Sequence, residues 1–423
     1  MKTIFALVDC NNFYVSCERV FDPAVRRQPV VVLSNNDGCA ISRSNEAKRI
    51  GIAMGAPIFK CQEIVKQHDV KVFSANFVLY GDMSNRVMSV LSNFTPNMEV
   101  YSIDEAFLSL SGFEQLNFEK YARTIQVEVK RLTGIPVSIG VAPTKTLAKV
   151  ANHFAKDHPE TGGVFSLMEE GEIDRCLAQT PVRELWGIGK EKAIFLNRHG
   201  IQNALELRNA PDQWIKKHLT VVTLRTVWEL RGISCLTLEE TQPNKKAIGT
   251  SRTFGYEVNN FAEMEEAVCA YIAKSAVKLR RQKSLAGYVQ VYVETNPFKE
   301  GKFYRNSAGM DVMPPTADTT ILMKAAKGLL KTIYRDGLKY KSCGVILTNL
   351  SPETLEQDYL FDTVYQRSPR KRLMEVVDRY NARTNTGKLF WVSEGLGKPW
   401  YMKQAHKSKR FTTRWDEILE IRI

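Results

Sequence analysis

Tyr101-Ser102-Ile103-Asp104-Glu105-Ala106-Phe107 is the stretch on which the fold turns. Two adjacent carboxylates interrupt a run in which Val100, Ile103, Phe107, Leu108 and Leu110 favour burial. Burying a carboxylate is costly unless it is paired or bound to a cation. A second run, Thr3-Ile4-Phe5-Ala6-Leu7-Val8, is a hydrophobic strand that leads directly into Asp9. A lone Asp at a strand end commonly caps a turn or helix, and an Asp-Glu pair between strands commonly forms a solvated hairpin. Three acids at the ends of buried strands suit something else. They are the donors that two hard divalent cations need, and such a pair of ions clamps the attacking and leaving oxygens of a phosphoryl transfer.

The chain of 423 residues exceeds one hydrophobic core, and about three or four domains of roughly 100–150 residues are expected. Hydrophobic (44%) and charged (25%) fractions are those of a globular protein. The net charge of +13 and pI near 9.2 are unusual and point to a polyanionic partner, nucleic acid before membrane. No apolar run reaches membrane-span length and the N-terminus enters a strand at once, so neither a membrane partner nor a signal peptide is expected. The eight cysteines form no Cys-x-x-Cys pair, as in a protein with reduced cytoplasmic thiols rather than a zinc site.

Strand-like runs at 3–8, 29–33, 98–103, 106–110 and 135–142 alternate with helical patterns at 12–20, 45–51, 84–93, 117–133 and 146–156. This predicts an α+β arrangement of a sheet with helices packed on it. Residues 22–73 form a small inserted subdomain between Asp22-Pro23 and Phe73-Ser74-Ala75-Asn76. From 169 to 236 the pattern is helical and contains Gly187-Ile188-Gly189-Lys190-Glu191-Lys192. A Gly-x-Gly turn opening a helix leaves N–H groups free for a phosphate, and Lys190 and Lys192 add charge; a helical hairpin without a ligand has the same pattern. After a linker at 237–246 come a strand near 247–258, a helix at 261–283, strands near 287–295 and 303–312, a helix at 319–335 and a strand at 342–348. This β-α-β-β-α-β order is a split βαβ unit. Its Lys245, Lys246, Arg252, Lys302 and Arg305 suit a phosphate backbone. Lys278, Arg280, Arg281 and Lys283 at a helix C-terminus are accounted for by the helix dipole. Beyond Pro352, short helices around 370–381 and 413–421 with flexible connections are expected.

Asp9-Cys10-Asn11-Asn12-Phe13-Tyr14, Asn45-Glu46-Ala47-Lys48, Ser102-Ile103-Asp104-Glu105 and Ser138-Ile139-Gly140-Val141-Ala142-Pro143-Thr144-Lys145 together resemble the Y-family (translesion) DNA polymerases, more closely the UmuC-type catalytic subunits of DNA polymerase V. The resemblance covers essentially the whole chain. It implies a right-hand fold: palm at 1–21 and 74–168, fingers at 22–73, a thumb with a helix-hairpin-helix at 169–236, a little finger at 245–350 and a C-terminal tail at 351–423. It implies error-prone synthesis past damaged bases in the SOS response, with two Mg2+ ions, or Mn2+, held by Asp9, Asp104, Glu105 and the Cys10 carbonyl. By the same resemblance Ser42, Asn45, Lys48 and Lys156 contact the triphosphate and Tyr14 is the steric gate against a 2′-hydroxyl. Gly187, Gly189, Lys190, Lys192, Lys245, Lys246, Arg252 and Arg305 would contact DNA. The family often has Tyr at the place of Asn45 and Arg at the place of Lys48, and a lysine cannot grip a phosphate in the bidentate way of arginine. Gln357-Asp358-Tyr359-Leu360-Phe361 matches the Gln-x-x-Leu-Phe peptide that docks bacterial polymerases on the sliding clamp. Implied partners are primer-template DNA, deoxynucleoside triphosphates, the clamp, a UmuD′-like dimer and a RecA filament, and the implied location is the cytoplasm, on the nucleoid. A nucleotide cyclase shares strand-end acids and two metals but needs neither the hairpin nor the basic split βαβ unit. A DNA-binding scaffold that has lost its chemistry would not need the three acids.

Overall fold

Four apolar residues in a row, Phe5-Ala6-Leu7-Val8, leave β1 (Phe5–Cys10) no face for solvent, so the strand belongs inside a sheet covered on both sides. The computed structural model, which describes residues 3–113, 115–239, 243–299, 303–355, 367–384 and 389–420, places it there. The chain divides into two compact units: Met1–Ser34, Gly38–Gln242 and His406–Ile423 form the first, and Asn35–Asp37 with Pro243–Ala405 the second.

In the first unit β1 is followed by α1 (Phe13–Phe21), β2 (Val30–Leu33), β3 (Ala40–Arg43), α2 (Asn45–Arg49), α3 (Gln62–Gln67) and β4 (Lys71–Ser74). Then come α4 (Phe77–Leu91), β5 (Met98–Val100), β6 (Glu105–Ser109), α5 (Phe118–Thr133), β7 (Val137–Ala142), α6 (Lys145–Asp157) and β8 (Val164–Ser166). Five helices complete it: α7 (Glu170–Gln179), α8 (Lys190–Arg198), α9 (Ala204–Asn209), α10 (Asp212–His218) and α11 (Val221–Leu230). The main sheet has the order β5-β6-β1-β7-β8, with β1 antiparallel to both neighbours. Side chains alternate along β1. Ala6 and Val8 join a core with Val87 of α4 and Ile125 of α5, while Phe5 and Leu7 join another with Leu147 and Ala151 of α6 and Leu224 of α11. A second sheet, β3-β2-β4, surrounds Val31, Leu33 and Ile52. Only β2 of these three strands is evident from sequence; β3 and β4 have four residues each and carry Ser, Arg and Lys, too short and polar to show alternation.

The second unit contains β9 (Ile248–Val258), α12 (Phe261–Arg281), β10 (Ser284–Thr295), β11 (Arg305–Thr316), α13 (Thr319–Ile333), β12 (Tyr340–Pro352) and α14 (Arg367–Thr384). The β-α-β-β-α-β order agrees with the sequence expectation, and the strands fold as a sheet β11-β10-β12-β9 with α12 and α13 on one face. Two ion pairs fasten α14: Arg280 to Asp378 at 2.7 Å and Arg370 to Asp318 at 2.6 Å. Arg280 therefore has a structural partner.

The tail departs from expectation. In place of a helix at 413–421 there is a single 3-10 turn, Trp415–Glu417. Thr412 and Thr413 are poor helix formers, and Arg414 folds back on the Asp416 and Glu417 carboxylates. Parts of the tail are anchored: Trp400 lies in the core of the second unit, and Phe411 packs on that of the first.

Close approach of α6 to the main sheet depends on Gly140. A Cβ there would stand 2.1 Å from the Asn152 backbone nitrogen and 2.5 Å from the Ala148 carbonyl oxygen. Both obstacles are helix backbone, which cannot yield. Gly140→Ala should therefore destabilise the protein by at least ~2 kcal/mol, the scale of core overpacking. Urea unfolding of the purified variant measures this, and an unchanged midpoint would contradict the packing described.

Candidate functional site

The alternation that sends Phe5 and Leu7 toward α6 sends Asp9 the same way. Asp9 pairs across the ladder with Glu105, just as Leu7 pairs with Phe107. Asp104 lies one residue earlier; its carbonyl accepts the Cys10 N–H at 2.8 Å, and its Oδ1 accepts the Ser102 hydroxyl at 2.6 Å. Two clefts meet at Asp9. One of about 320 Å³ is lined by Asp9, Asp104, Tyr14, Ser42, Lys48 and Lys156. Another of about 270 Å³ is lined by Asp9, Glu105, Lys149, Lys156 and Trp186.

Burial pushes the Asp9 carboxyl up to about 6, and Glu105 and Asp104 add to the rise while Lys156 opposes it. Lys156 Nζ stands 2.5 Å from Asp9 Oδ2, and Lys149 Nζ stands 2.9 Å from Glu105 Oε1. Among the described residues, no three His, Cys, Asp or Glu side chains form a ready metal cage. The donor set nevertheless fits hard divalent ions: it is all oxygen, and it concentrates negative charge that burial alone does not neutralise.

Ser42, on β3, is buried, and its hydroxyl accepts the Val15 N–H at 3.4 Å. Lys48, near the end of α2, has its ammonium held below the ordinary value, first by partial burial and then by Arg43 and Lys156. Three cations crowded in this way complement a polyanion. Asn45 is exposed and accepts a 3.0 Å hydrogen bond from the Asn12 side chain at Oδ1; it does not line the cleft. Cys10 lines it, with its side chain buried in the core.

The expected DNA contacts are less uniform. Gly187 has a left-handed φ of +86°, as a tight turn requires, and Gly189 caps α8. Lys190 is exposed. Lys192 instead donates to Thr223 Oγ1 at 3.0 Å and to the Gly187 carbonyl at 3.4 Å, bracing the turn. Lys245, Lys246, Arg252 and Arg305 are exposed in the second unit, while Lys302 and the peptide Gln357, Leu360 and Phe361 lie outside the described residues.

The sequence reading passed over several neighbours. Arg43 lines the cleft with a buried Nε that has no hydrogen-bond partner among the described residues. Lys149 lies under the rings of Tyr101 (4.6 Å) and Trp186 (5.4 Å). Lys145, Lys149 and Lys156 recur at roughly whole helical turns, a signal that pointed to one basic face of α6. Lys145 holds Glu99 in a buried pair and donates to the Thr237 carbonyl at 2.7 Å, which fixes the start of the linker. Tyr80 stacks on Tyr14, and Glu18 holds Tyr80; nothing in their spacing marks them.

The impB/mucB/samB family matches residues 8–153, its C-terminal domain matches 245–360, and a domain of unknown function (DUF4113) matches 371–421. The chain is 43% identical to protein UmuC of Salmonella typhimurium (strain LT2) over 99% of its own length and 100% of that protein's. It is 41% identical to protein SamB of Salmonella typhimurium over 98% and 99% of the two lengths. To DNA polymerase IV of Caulobacter vibrioides it is 28% identical over 81% and 82%. A solved Y-family DNA polymerase chimera of Dbh and Dpo4 shares the fold with a TM-score of 0.65 at 24% identity, covering 82% of this chain and 99% of the chimera.

Glu18, next to the cleft, is almost wholly buried, and desolvation pushes its carboxyl from 4.5 to about 7 against the hydrogen bonds from Tyr80 and Ser408. Between these two values the folded protein binds more protons than the unfolded chain, so this group's contribution falls as pH rises through the window and is constant above it. Glu18→Gln removes that titration. Wild type should therefore lose on the order of 1–3 kcal/mol more than the variant between about pH 4.5 and pH 8. Urea unfolding at each pH reads the difference; a pH-independent gap would mean that Glu18 stays ionised.

Proposed function

The chain belongs to the impB/mucB/samB family, and we propose that it carries out that family's template-directed, error-prone DNA synthesis at the Asp9, Asp104 and Glu105 cluster. It is a DNA-directed DNA polymerase of the translesion type, acting in the SOS response. The observation that supports this location is the cross-strand pairing of Asp9 with Glu105 beside a cleft whose other wall is cationic.

Two divalent ions, magnesium or manganese, held by Asp9, Asp104, Glu105 and the Cys10 carbonyl would lower the pKa of the primer 3′-hydroxyl and neutralise the triphosphate. Ser42, Arg43, Lys48 and Lys156 bind and orient the phosphates from the cleft wall, and Asn45 supports them through Asn12. Little covalent chemistry is asked of these groups; placing the reactants and matching their charge accounts for most of the rate. Tyr14 lies in the same cleft, where its ring excludes a 2′-hydroxyl. Residues 22–73 carry only short strands and helices, so few side chains surround a nascent pair and mispairs or damaged bases meet few clashes.

We assign the palm to 1–21 and 74–168, the fingers to 22–73, the thumb to 169–236, the little finger to 245–350 and the tail to 351–423. Gly187, Gly189 and Lys190 of the thumb and Lys245, Lys246, Arg252 and Arg305 of the little finger track the DNA backbone, with Lys192 bracing the hairpin. The clamp binds Gln357, Leu360 and Phe361, and a UmuD′-like dimer and a RecA filament are further partners in the cytoplasm, on the nucleoid. No helix among the described residues is long and apolar enough to cross a membrane.

Asp104→Asn should abolish primer extension, a loss of at least about 100-fold, while primer-template binding by fluorescence anisotropy is retained. Primer extension at wild-type rate would place the chemistry elsewhere. Deleting 357–361 should lower clamp-stimulated synthesis and spare the unstimulated reaction. Equal loss of both would assign the peptide a structural role.

A further inference from the structure

The rings of Tyr14 and Tyr80 lie face to face, with centroids 4.6 Å apart and planes 16° from parallel. Phe77 meets both edge-on, at 5.9 and 6.2 Å. Tyr80 is fully buried, and its hydroxyl donates to Glu18 Oε1 at 2.6 Å. The same oxygen accepts the hydroxyl of Ser408 at 3.0 Å, from a residue 390 positions further along the chain. Ser408 lies inside the stretch matched only as a domain of unknown function.

The chain around Ser408 is fastened at several points. The Ser74 N–H donates to the His406 carbonyl at 3.0 Å, and the His406 N–H donates to Ser74 Oγ at 2.9 Å. The buried Asn76 side chain donates to the Ser408 carbonyl (3.2 Å), to Ser408 Oγ (3.0 Å) and to the Lys409 carbonyl (3.2 Å). Phe411 stacks on Phe21 at 4.7 Å, with planes 9° apart. Ser74 and Asn76 immediately precede α4, the helix that carries Phe77 and Tyr80. The tail thus grips the base of the helix whose rings back Tyr14, and its hydroxyl reaches the carboxylate that holds Tyr80.

We propose that residues 406–411 act as a strap that fixes the Tyr14 ring through Ser408, Glu18 and Tyr80, making Tyr80 a positioning residue and the tail a determinant of sugar selectivity. The proposal rests on reading Tyr14 as the gate. A steric gate rejects a hydroxyl only as firmly as its wall resists displacement. A ring free to tilt relieves the clash by moving, and close packing on a second ring removes that freedom. Tyr80 is itself held at its far end by a buried acceptor, so the restraint passes from the tail to the gate through direct contacts.

Single-turnover incorporation of a deoxynucleotide and the matching ribonucleotide, by the full chain with its accessory subunits, measures the discrimination ratio. Tyr14→Ala should lower it most. Ser408→Ala and Tyr80→Phe should each lower it roughly threefold to tenfold, the scale of one aromatic or hydrogen-bonded contact. Ser408→Thr, which keeps the hydroxyl, should restore it. In a Tyr14→Ala background, Ser408→Ala should change nothing further, because the ring it restrains is gone. If Tyr14→Ala leaves the ratio unchanged, the gate reading itself falls. If Tyr14→Ala lowers it but Ser408→Ala and Tyr80→Phe reduce both sugars in proportion, or add fully to Tyr14→Ala, the tail is only structural support and the strap proposal is overturned.

Discussion

Everything in the first unit is organised by the placing of carboxylates on a strand that has no solvent face. β1 is buried through Val8, and Asp9 then faces Glu105 across the ladder with Asp104 alongside. Such a cluster is unstable on its own, since burial and mutual repulsion both favour protonation, as the raised Asp9 carboxyl records. The surrounding fold meets this by bringing cations to it.

Those cations come chiefly from α6. Gly140 removes the side chain that would hold the helix off the sheet, and the helix then presents Lys149 to Glu105 and Lys156 to Asp9. The aromatic surroundings of Lys149, formed by Tyr101 and Trp186, restrict its ammonium further. The two ion pairs leave neither Asp9 nor Glu105 as a bare buried charge. The rings of Tyr14 on α1 and Tyr80 on α4 form a separate stack whose anchorage comes from the far end of the chain.

The tail illustrates how distant sequence can be structurally local. Read alone, residues 353–423 are charged, aromatic and weakly periodic. In the structure Trp400 is 1% exposed in one core, while Phe411 packs against another and Ser408 hydrogen-bonds to the buried Glu18. Isolated apolar residues separated by turn formers have no period to detect, so no local pattern announced their burial.

The strands β1, β2 and β7, the split βαβ unit and the three acids were legible because each leaves a local trace: uninterrupted apolar runs, helical spacing, and charge where burial is favoured. The pairing of Asp9 with Glu105 was not, because the register between two strands is set by tertiary structure. The short strands β3 and β4 and the 3-10 turn that replaces a terminal helix were not, because they depend on partners far away in sequence. Nor were Arg43, Tyr80, Glu18 and Ser408. Residue type fixes what chemistry a side chain can offer, but only the packing of distant segments decides which groups meet, since contact energies depend on separation and burial that no local window contains.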